Sequence, residues 1–269
     1  MKRFIQRITD ALERMSPPKK MSAFAKGDVF CFNENGMFFE PVVSFNYVPF
    51  EYLIGIERQK NIMLENTKRF LAGKRANNAL LWGARGCGKS SLIKAVFKKA
   101  NDETNDKACL LGIRKNELKY LDEVIKMVEG YPRKFIIYCD DLCFDETDKD
   151  IFRYLKTLLD GGLNAMPDNV ILYATSNRRH LMKDARREDD DAISVKEDTD
   201  EGVALSDRFG LWIGFHEISQ DEYLQIVGGY VKMFGLDVKE KEYIPKALEW
   251  SVTRGARSGR VAYQFAKSL

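Results

Sequence analysis

Residues 83–90 read Gly83-Ala84-Arg85-Gly86-Cys87-Gly88-Lys89-Ser90, the pattern G-x-x-x-x-G-K-S. Glycines at 83, 86 and 88 let the backbone bend with positive φ and turn its N–H groups inward, and a cradle of amides suits phosphate oxygens. Lys89 then offers a point charge to β- and γ-phosphates, and the Ser90 hydroxyl can ligate a magnesium ion that bridges them. A second chemical group is the carboxylate pair Asp140-Asp141, which closes the apolar run Phe135-Ile136-Ile137-Tyr138-Cys139. Asp140 is expected to hold the ion opposite Ser90, and Asp141 to polarise an attacking water as general base. Asn177 follows a further apolar run, where it can hydrogen-bond the γ-phosphate or the water; taken alone, an asparagine after a strand is ordinary turn chemistry. Arg208, in Leu205-Ser206-Asp207-Arg208-Phe209-Gly210, stands just ahead of the last strand. Supplied to a neighbouring copy it would neutralise charge developing on the phosphoryl group, whereas the simpler alternative is a salt bridge within its own domain.

Chemistry of this kind needs elements to aim it. The run Asn78-Ala79-Leu80-Leu81-Trp82 delivers the glycine loop from a strand, and Ser91-Leu92-Ile93-Lys94-Ala95-Val96-Phe97 continues it as a helix whose N-terminus adds partial positive charge. Four other apolar runs, 108–113, 135–139, 170–175 and 211–215, are separated by helical patterns at 89–99, 116–129 and 148–160. Such alternation predicts an α/β fold, a mostly parallel sheet covered by helices. Upstream, Tyr52-Leu53-Ile54-Gly55-Ile56 leads into a helix from about Arg58 to Leu71, stopped by Gly73. Beyond Phe215 the pattern is wholly helical. Ser219 is placed to cap a helix with Glu222 three residues on, and Ile218 to staple onto Tyr223, with the helix ending near Gly235. A second helix is expected from about Glu242 to Arg254, with Pro245 in its first turn, and a third from near Ser258. At the other end, residues 1–15 carry a basic amphipathic pattern closed by Ser16-Pro17-Pro18, best matched to packing against its own domain or a neighbouring subunit. A hairpin follows around Asn33-Glu34-Asn35-Gly36. The division expected is an N-terminal extension at 1–49, a nucleotide-binding domain at 50–217 and a small helical domain at 218–269.

Composition bounds these readings. A 269-residue chain that is 45% hydrophobic and 31% charged is too apolar for a disordered one, and a net charge of +3 gives no bulk reason to infer nucleic-acid binding. Five cysteines form an odd set without paired spacing, which points away from a secreted disulfide framework and towards a reducing cytoplasm. Cys139 and Cys143 lack the C-x-x-C spacing of a metal pair, and His180 and His216 are far off in sequence, so buried thiols are expected. Charges at Arg7, Asp10, Glu13 and Arg14 interrupt any apolar run at the start, so no signal peptide or membrane insertion is expected. Residues 182–204 pass from basic to strongly acidic and read as an insertion or a solvated loop.

Taken in order, these motifs resemble the AAA+ ATPases over residues 50–269. Tyr52–Ile56, with Leu53, Ile54 and Gly55, resembles their adenine-contacting box, residues 83–90 the Walker A loop continued by Ser91, and Asp140 with Asp141 the Walker B pair. Asn177 matches sensor 1, Arg208 the arginine finger, and Arg260 sensor 2, with Arg257 a turn away as its alternative. Ala76-Asn77-Asn78, Thr175-Ser176-Asn177-Arg178-Arg179-His180-Leu181 and Leu205–Leu211 resemble more narrowly a bacterial ATP-binding AAA+ family catalogued as a domain of unknown function. The resemblance implies a three-layer αβα core on a five-stranded parallel sheet with a helical lid. It also implies ATP and Mg²⁺ as ligands, ATP hydrolysis to ADP, a homo-oligomer in which Arg208 acts in trans, and a protein client that the residues do not specify. A DNA-handling relative of the helicase-loader or initiator type is the alternative, supported only by the basic N-terminal pattern and scattered arginines. One departure bears on rate: Asp141 stands where these ATPases usually carry glutamate, a methylene longer, so slow hydrolysis or a nucleotide-gated switch is also implied.

Overall fold

The computed structural model describes residues 24, 27–105, 107–161, 165–179, 181 and 205–269. The amphipathic pattern at 1–15, His180 and the charged stretch at 182–204 lie outside the described residues.

Seven strands form one sheet among the described residues: β1 (Val29–Asn33), β2 (Phe38–Pro41), β3 (Ala79–Gly83), β4 (Ala108–Ile113), β5 (Lys134–Cys139), β6 (Val170–Ser176) and β7 (Leu211–Phe215). Their spatial order is β2-β1-β4-β5-β6-β3-β7, and every adjacent pair is parallel except the β1–β2 hairpin. The expected five-stranded parallel sheet is therefore present as β4 to β7 with β3, and it is two strands wider than expected. The added strands are the hairpin, because β1 lies parallel to β4 with Phe30 opposite Leu111. Phe30, Phe32 and Phe39 point into the main core, where Phe24 meets Phe30 and Phe135 edge-on at 5.1 Å. Four aromatics are too much apolar surface to leave in water, and the free edge of β4 gives them cover.

Strand parity divides the core into two layers. Leu111, Phe135, Ile137 and Leu172 face α3 (Leu121–Val128) and α4 (Lys149–Leu159), whereas Leu110, Ile136, Tyr138 and Tyr173 face α1 (Glu57–Leu71) and α2 (Lys89–Glu103). Alternation at period two along strands buried on both faces is what a three-layer αβα arrangement requires. Asn66 on α1 clamps the approach to β3, donating to the Asn77 carbonyl and accepting from the Asn77 amide, both at 2.9 Å. The Asn78 carboxamide oxygen accepts from the Leu172 amide at 2.8 Å and sets β3 against β6.

Three helices close the chain: α5 (Gln220–Met233), α6 (Glu240–Thr253) and α7 (Gly259–Ala266), with a core of their own around Tyr223, Tyr230, Tyr243 and Phe265. Ser219 and Glu222 form the expected reciprocal cap of α5. Two boundaries differ from the sequence expectation. Helix α6 starts two residues early, so Pro245 falls in its second turn and removes an intrahelical bond; Glu240 and Glu242 favour the early start by facing the positive helix end. The helix expected over 116–129 opens as a tight 3-10 turn at Lys115–Tyr120, closed by the Glu117 carboxylate accepting from the Arg114 amide at 2.7 Å.

None of the five cysteines is in a disulfide, and burial pushes Cys109 and Cys139 up to about 12, leaving them protonated. Among the described residues no group of three or more histidine, cysteine and acidic side chains could hold a metal ion, and no helix is long and apolar enough to cross a membrane.

Candidate functional site

At the carboxyl end of β3 the chain turns through Gly83, Gly86 and Gly88 with φ of 140°, 80° and 98°, then enters α2 at Lys89. The first two glycines are required sterically as well as conformationally. A Cβ on Gly83 would stand 2.2 Å from the Phe215 carbonyl oxygen at the end of β7, and one on Gly86 would stand 2.8 Å from the Ser258 hydroxyl at the cap of α7. The loop is thus pressed between the sheet and the C-terminal helices.

Lys89 is the centre of the site. It is 6% exposed, and its Nζ donates to the Gly83 carbonyl at 2.8 Å, the Ala84 carbonyl at 2.7 Å and Asn177 Oδ1 at 3.1 Å. All three acceptors are neutral, and no Lys89 ion pair is formed among the described residues. Burial lowers its pKa, against the opposing pull of the Cys87 thiol and the Asp140 and Asp141 carboxylates. An ammonium whose hydrogen-bond acceptors are neutral, at the wall of an open cleft, is placed to meet an anion.

Asp140 extends from β5 beside the start of α2. Its Oδ1 accepts from Ser90 Oγ at 2.7 Å and Thr175 Oγ1 at 2.5 Å. Its surroundings disfavour the charged form, but the Thr175, Ser90 and Tyr138 hydroxyls outweigh that and hold its carboxyl below the ordinary carboxylate range. The Tyr138 hydroxyl lies beside Ser90 and Asp140 without a well-aligned hydrogen bond, although it is buried. An ionised carboxylate, a serine hydroxyl and an orphaned phenol at one spot form an oxygen set suited to a hydrated hard cation such as Mg²⁺.

Asp141 has a backbone φ of 54°, in the left-handed region that few residues other than glycine adopt. Its carboxylate accepts from Asn177 Nδ2 at 2.5 Å, so Asn177 bridges Lys89 and Asp141 through the two ends of one carboxamide. A polar cleft of about 480 Å³ collects these groups, lined by Arg85, Gly86, Gly88, Lys89, Ser90, Ser91, Asp140, Asp141, Asn177 and Arg260. Its size is that of an ordinary small-molecule site. A smaller adjoining pocket of about 110 Å³ is walled by Leu53, Ile54, Gly55, Ile218, Ile226 and the loop residues Cys87 and Gly88.

Two arginines remained open at the sequence level. Arg260, in the first turn of α7, lines the polar cleft, whereas Arg257 lines a separate groove with Val252 and Glu217. Arg208 is not brought to the cleft; its Nε donates to Asp160 at the end of α4, the salt bridge within the domain weighed above. Sequence reasoning missed Val48, Thr175, Tyr230 and Tyr263, which also line the cleft. Thr175 shares the strand parity of Tyr173 and so reads in sequence as a buried strand residue. Tyr230 and Tyr263 read in sequence only as apolar helix faces.

No curated protein matches the sequence. Among solved structures, the chain is similar to the Aeropyrum pernix ORC1 protein in complex with DNA, at TM-score 0.53 and 12% identity over 80% of this chain and 61% of that one. It is also similar to a point mutant of Thermotoga maritima RuvB, at TM-score 0.51 and 15% identity over 81% of this chain and 64% of that one. Both are AAA+ P-loop ATPases, and at these identities the likeness identifies the fold. With that fold, and with a family model matching residues 25–269, the chain belongs to the family described as "Protein of unknown function (DUF815)".

Proposed function

We propose that the protein is a magnesium-dependent AAA+ ATPase, which binds ATP between the phosphate loop and the C-terminal helices and hydrolyses it to ADP and phosphate to remodel or assemble a protein partner. The observation that carries this reading is Lys89, a buried cation whose partners are all neutral and which stands on a glycine loop at a helix N-terminus. Residues 50–217 act as the nucleotide-binding domain and residues 218–269 as its lid, with Leu53, Ile54 and Gly55 at the adenine. Ser90 and Asp140 hold Mg²⁺, which supplies charge neutralisation on the phosphates. Asp141 takes the proton of the attacking water, Asn177 aligns that water with the γ-phosphate, and Arg260 binds phosphate from the lid. Arg208 serves the site of a neighbouring copy, which its place outside its own cleft supports, and Asp160 holds the guanidinium meanwhile. The setting is the cytoplasm.

A slow, switch-like ATPase is the second reading. It is favoured by Asp141, whose short side chain is already engaged by Asn177 from a left-handed backbone.

Titration calorimetry with ATP and Mg²⁺, beside phosphate release, tests both. Wild-type protein binds and turns over ATP; Lys89→Ala loses binding; Arg208→Ala keeps affinity but loses about 10³-fold or more in turnover. Absence of ATP uptake by the wild type overturns the ATPase reading, and binding with negligible turnover at every protein concentration selects the switch. Salt-sensitive stimulation by DNA would move the assignment to the DNA-handling class, in line with the ORC1 structure solved with DNA.

A further inference from the structure

Thr175 is 1% exposed near the end of β6, on the sheet face shared with Tyr173, Tyr138 and α2. The register sets Cys139 opposite Ala174, which carries Asp140 to the side of Thr175 just past the last paired residues. Its hydroxyl meets two groups. The Asp141 amide donates to Oγ1 at 3.0 Å, and Oγ1 lies 2.5 Å from Asp140 Oδ1. An amide can only donate, so the oxygen is acceptor on that side and its single proton is committed to Asp140. The Thr175 carbonyl accepts from the Leu142 amide at 2.7 Å and fixes the far side of the same turn.

We propose that Thr175 is a positioning residue for ATP hydrolysis, one buried hydroxyl that sets both carboxylates at once, Asp140 through its side chain and Asp141 through its backbone. The proposal rests on the ATPase reading above. Ser90 also donates to Asp140, and a hydroxyl can do so while keeping a lone pair for a metal ion, so Thr175 is a second donor that would hold the carboxylate without itself serving the ion. At Asp141 the bond from the amide to Oγ1 braces a left-handed residue, and that backbone sets where its carboxylate stands against Asn177. Valine has the shape of threonine without the hydroxyl, and serine restores the hydroxyl without the methyl.

The full chain carrying Thr175→Val, and separately Thr175→Ser, is to be measured for ATP–Mg²⁺ affinity, kcat, thermal midpoint and hydrogen exchange at the Asp141 amide. Thr175→Val is expected to keep ATP affinity within about threefold of wild type and to lose about 100-fold in kcat, the scale of a small misplacement of reacting groups. Its Asp141 amide is expected to exchange about tenfold faster or more, as for an amide that has lost its acceptor. Thr175→Ser is expected to restore both kcat and protection. A valine variant with wild-type kcat and exchange overturns the proposal. So does one whose affinity, kcat and thermal midpoint fall together without rescue by serine, since that is a purely structural role. Wild-type protein that binds but does not hydrolyse ATP overturns the ATPase reading and the positioning role with it, while the exchange comparison still reports whether Thr175 braces the turn.

Discussion

Buried ammonium groups ordinarily sit against carboxylates, and Lys89 instead rests on two loop carbonyls and a carboxamide. On the proposed reading the arrangement would separate two kinds of work: Lys89 would serve affinity, whereas Asp141, hydrogen-bonded to Asn177, would serve the water. Asp141→Asn tests the separation. Asparagine tolerates a left-handed φ and keeps the shape, so ATP affinity is expected to stay near wild type in calorimetry while phosphate release falls by about 10²–10⁴, the contribution of a general base. The grouping of Lys89, Ser90, Asp140, Asp141 and Asn177 was legible in the sequence, the first two from the G-x-x-x-x-G-K-S pattern and the others as polar residues that follow apolar runs. Thr175 and the two tyrosines were not, because strand parity and helix periodicity file them with the core, and only the tertiary structure turns them onto the cleft. The two candidates for a lid arginine, Arg257 and Arg260, were inseparable by spacing; the start of α7 at Gly259 separates them.

Helix α5 depends on the cap that the sequence announced. Ser219 Oγ accepts from the Glu222 amide at 3.3 Å, and the Glu222 carboxylate accepts from the Ser219 amide at 2.8 Å. Ser219→Ala is expected to destabilise the protein by about 1 kcal/mol in denaturant unfolding. The Ser219 amide and hydroxyl hold the Glu222 carboxyl below its ordinary value. A depressed folded-state pKa means that this stabilisation is present above the unfolded-state value and fades as pH falls through the lower, folded-state one. Glu222→Gln should therefore flatten the acid limb of a stability–pH curve below the usual carboxylate range, and an unchanged limb would deny the cap its charge. The capping signal succeeded because it is local, three residues long and chemically specific. The start of α6 was misplaced by the same local logic, since proline favours a first turn but the acidic residues ahead of it extend the helix.

Across the whole molecule, alternation of apolar runs and helical patterns was enough to give the layered α/β core, but not the width of its sheet. Hairpin signals are local, and the pairing of β1 with β4 spans about eighty residues of sequence that no short pattern encodes. Phe30, 1% exposed, joins the hairpin to the main core. Phe30→Ala is expected to cost about 3–5 kcal/mol in chemical unfolding. A chain cut to 50–269 should lose its cooperative transition; a fully cooperative one with the wild-type midpoint would make the hairpin peripheral. Two close approaches hold the glycine loop in place. The first glycine of the phosphate loop is wedged against the Phe215 carbonyl, shortly before α5 begins, and the second is wedged against Ser258, where α7 begins. The bend is therefore braced by the sheet at its root and by the cap of α7 near its tip, so the core and the C-terminal helices share one support.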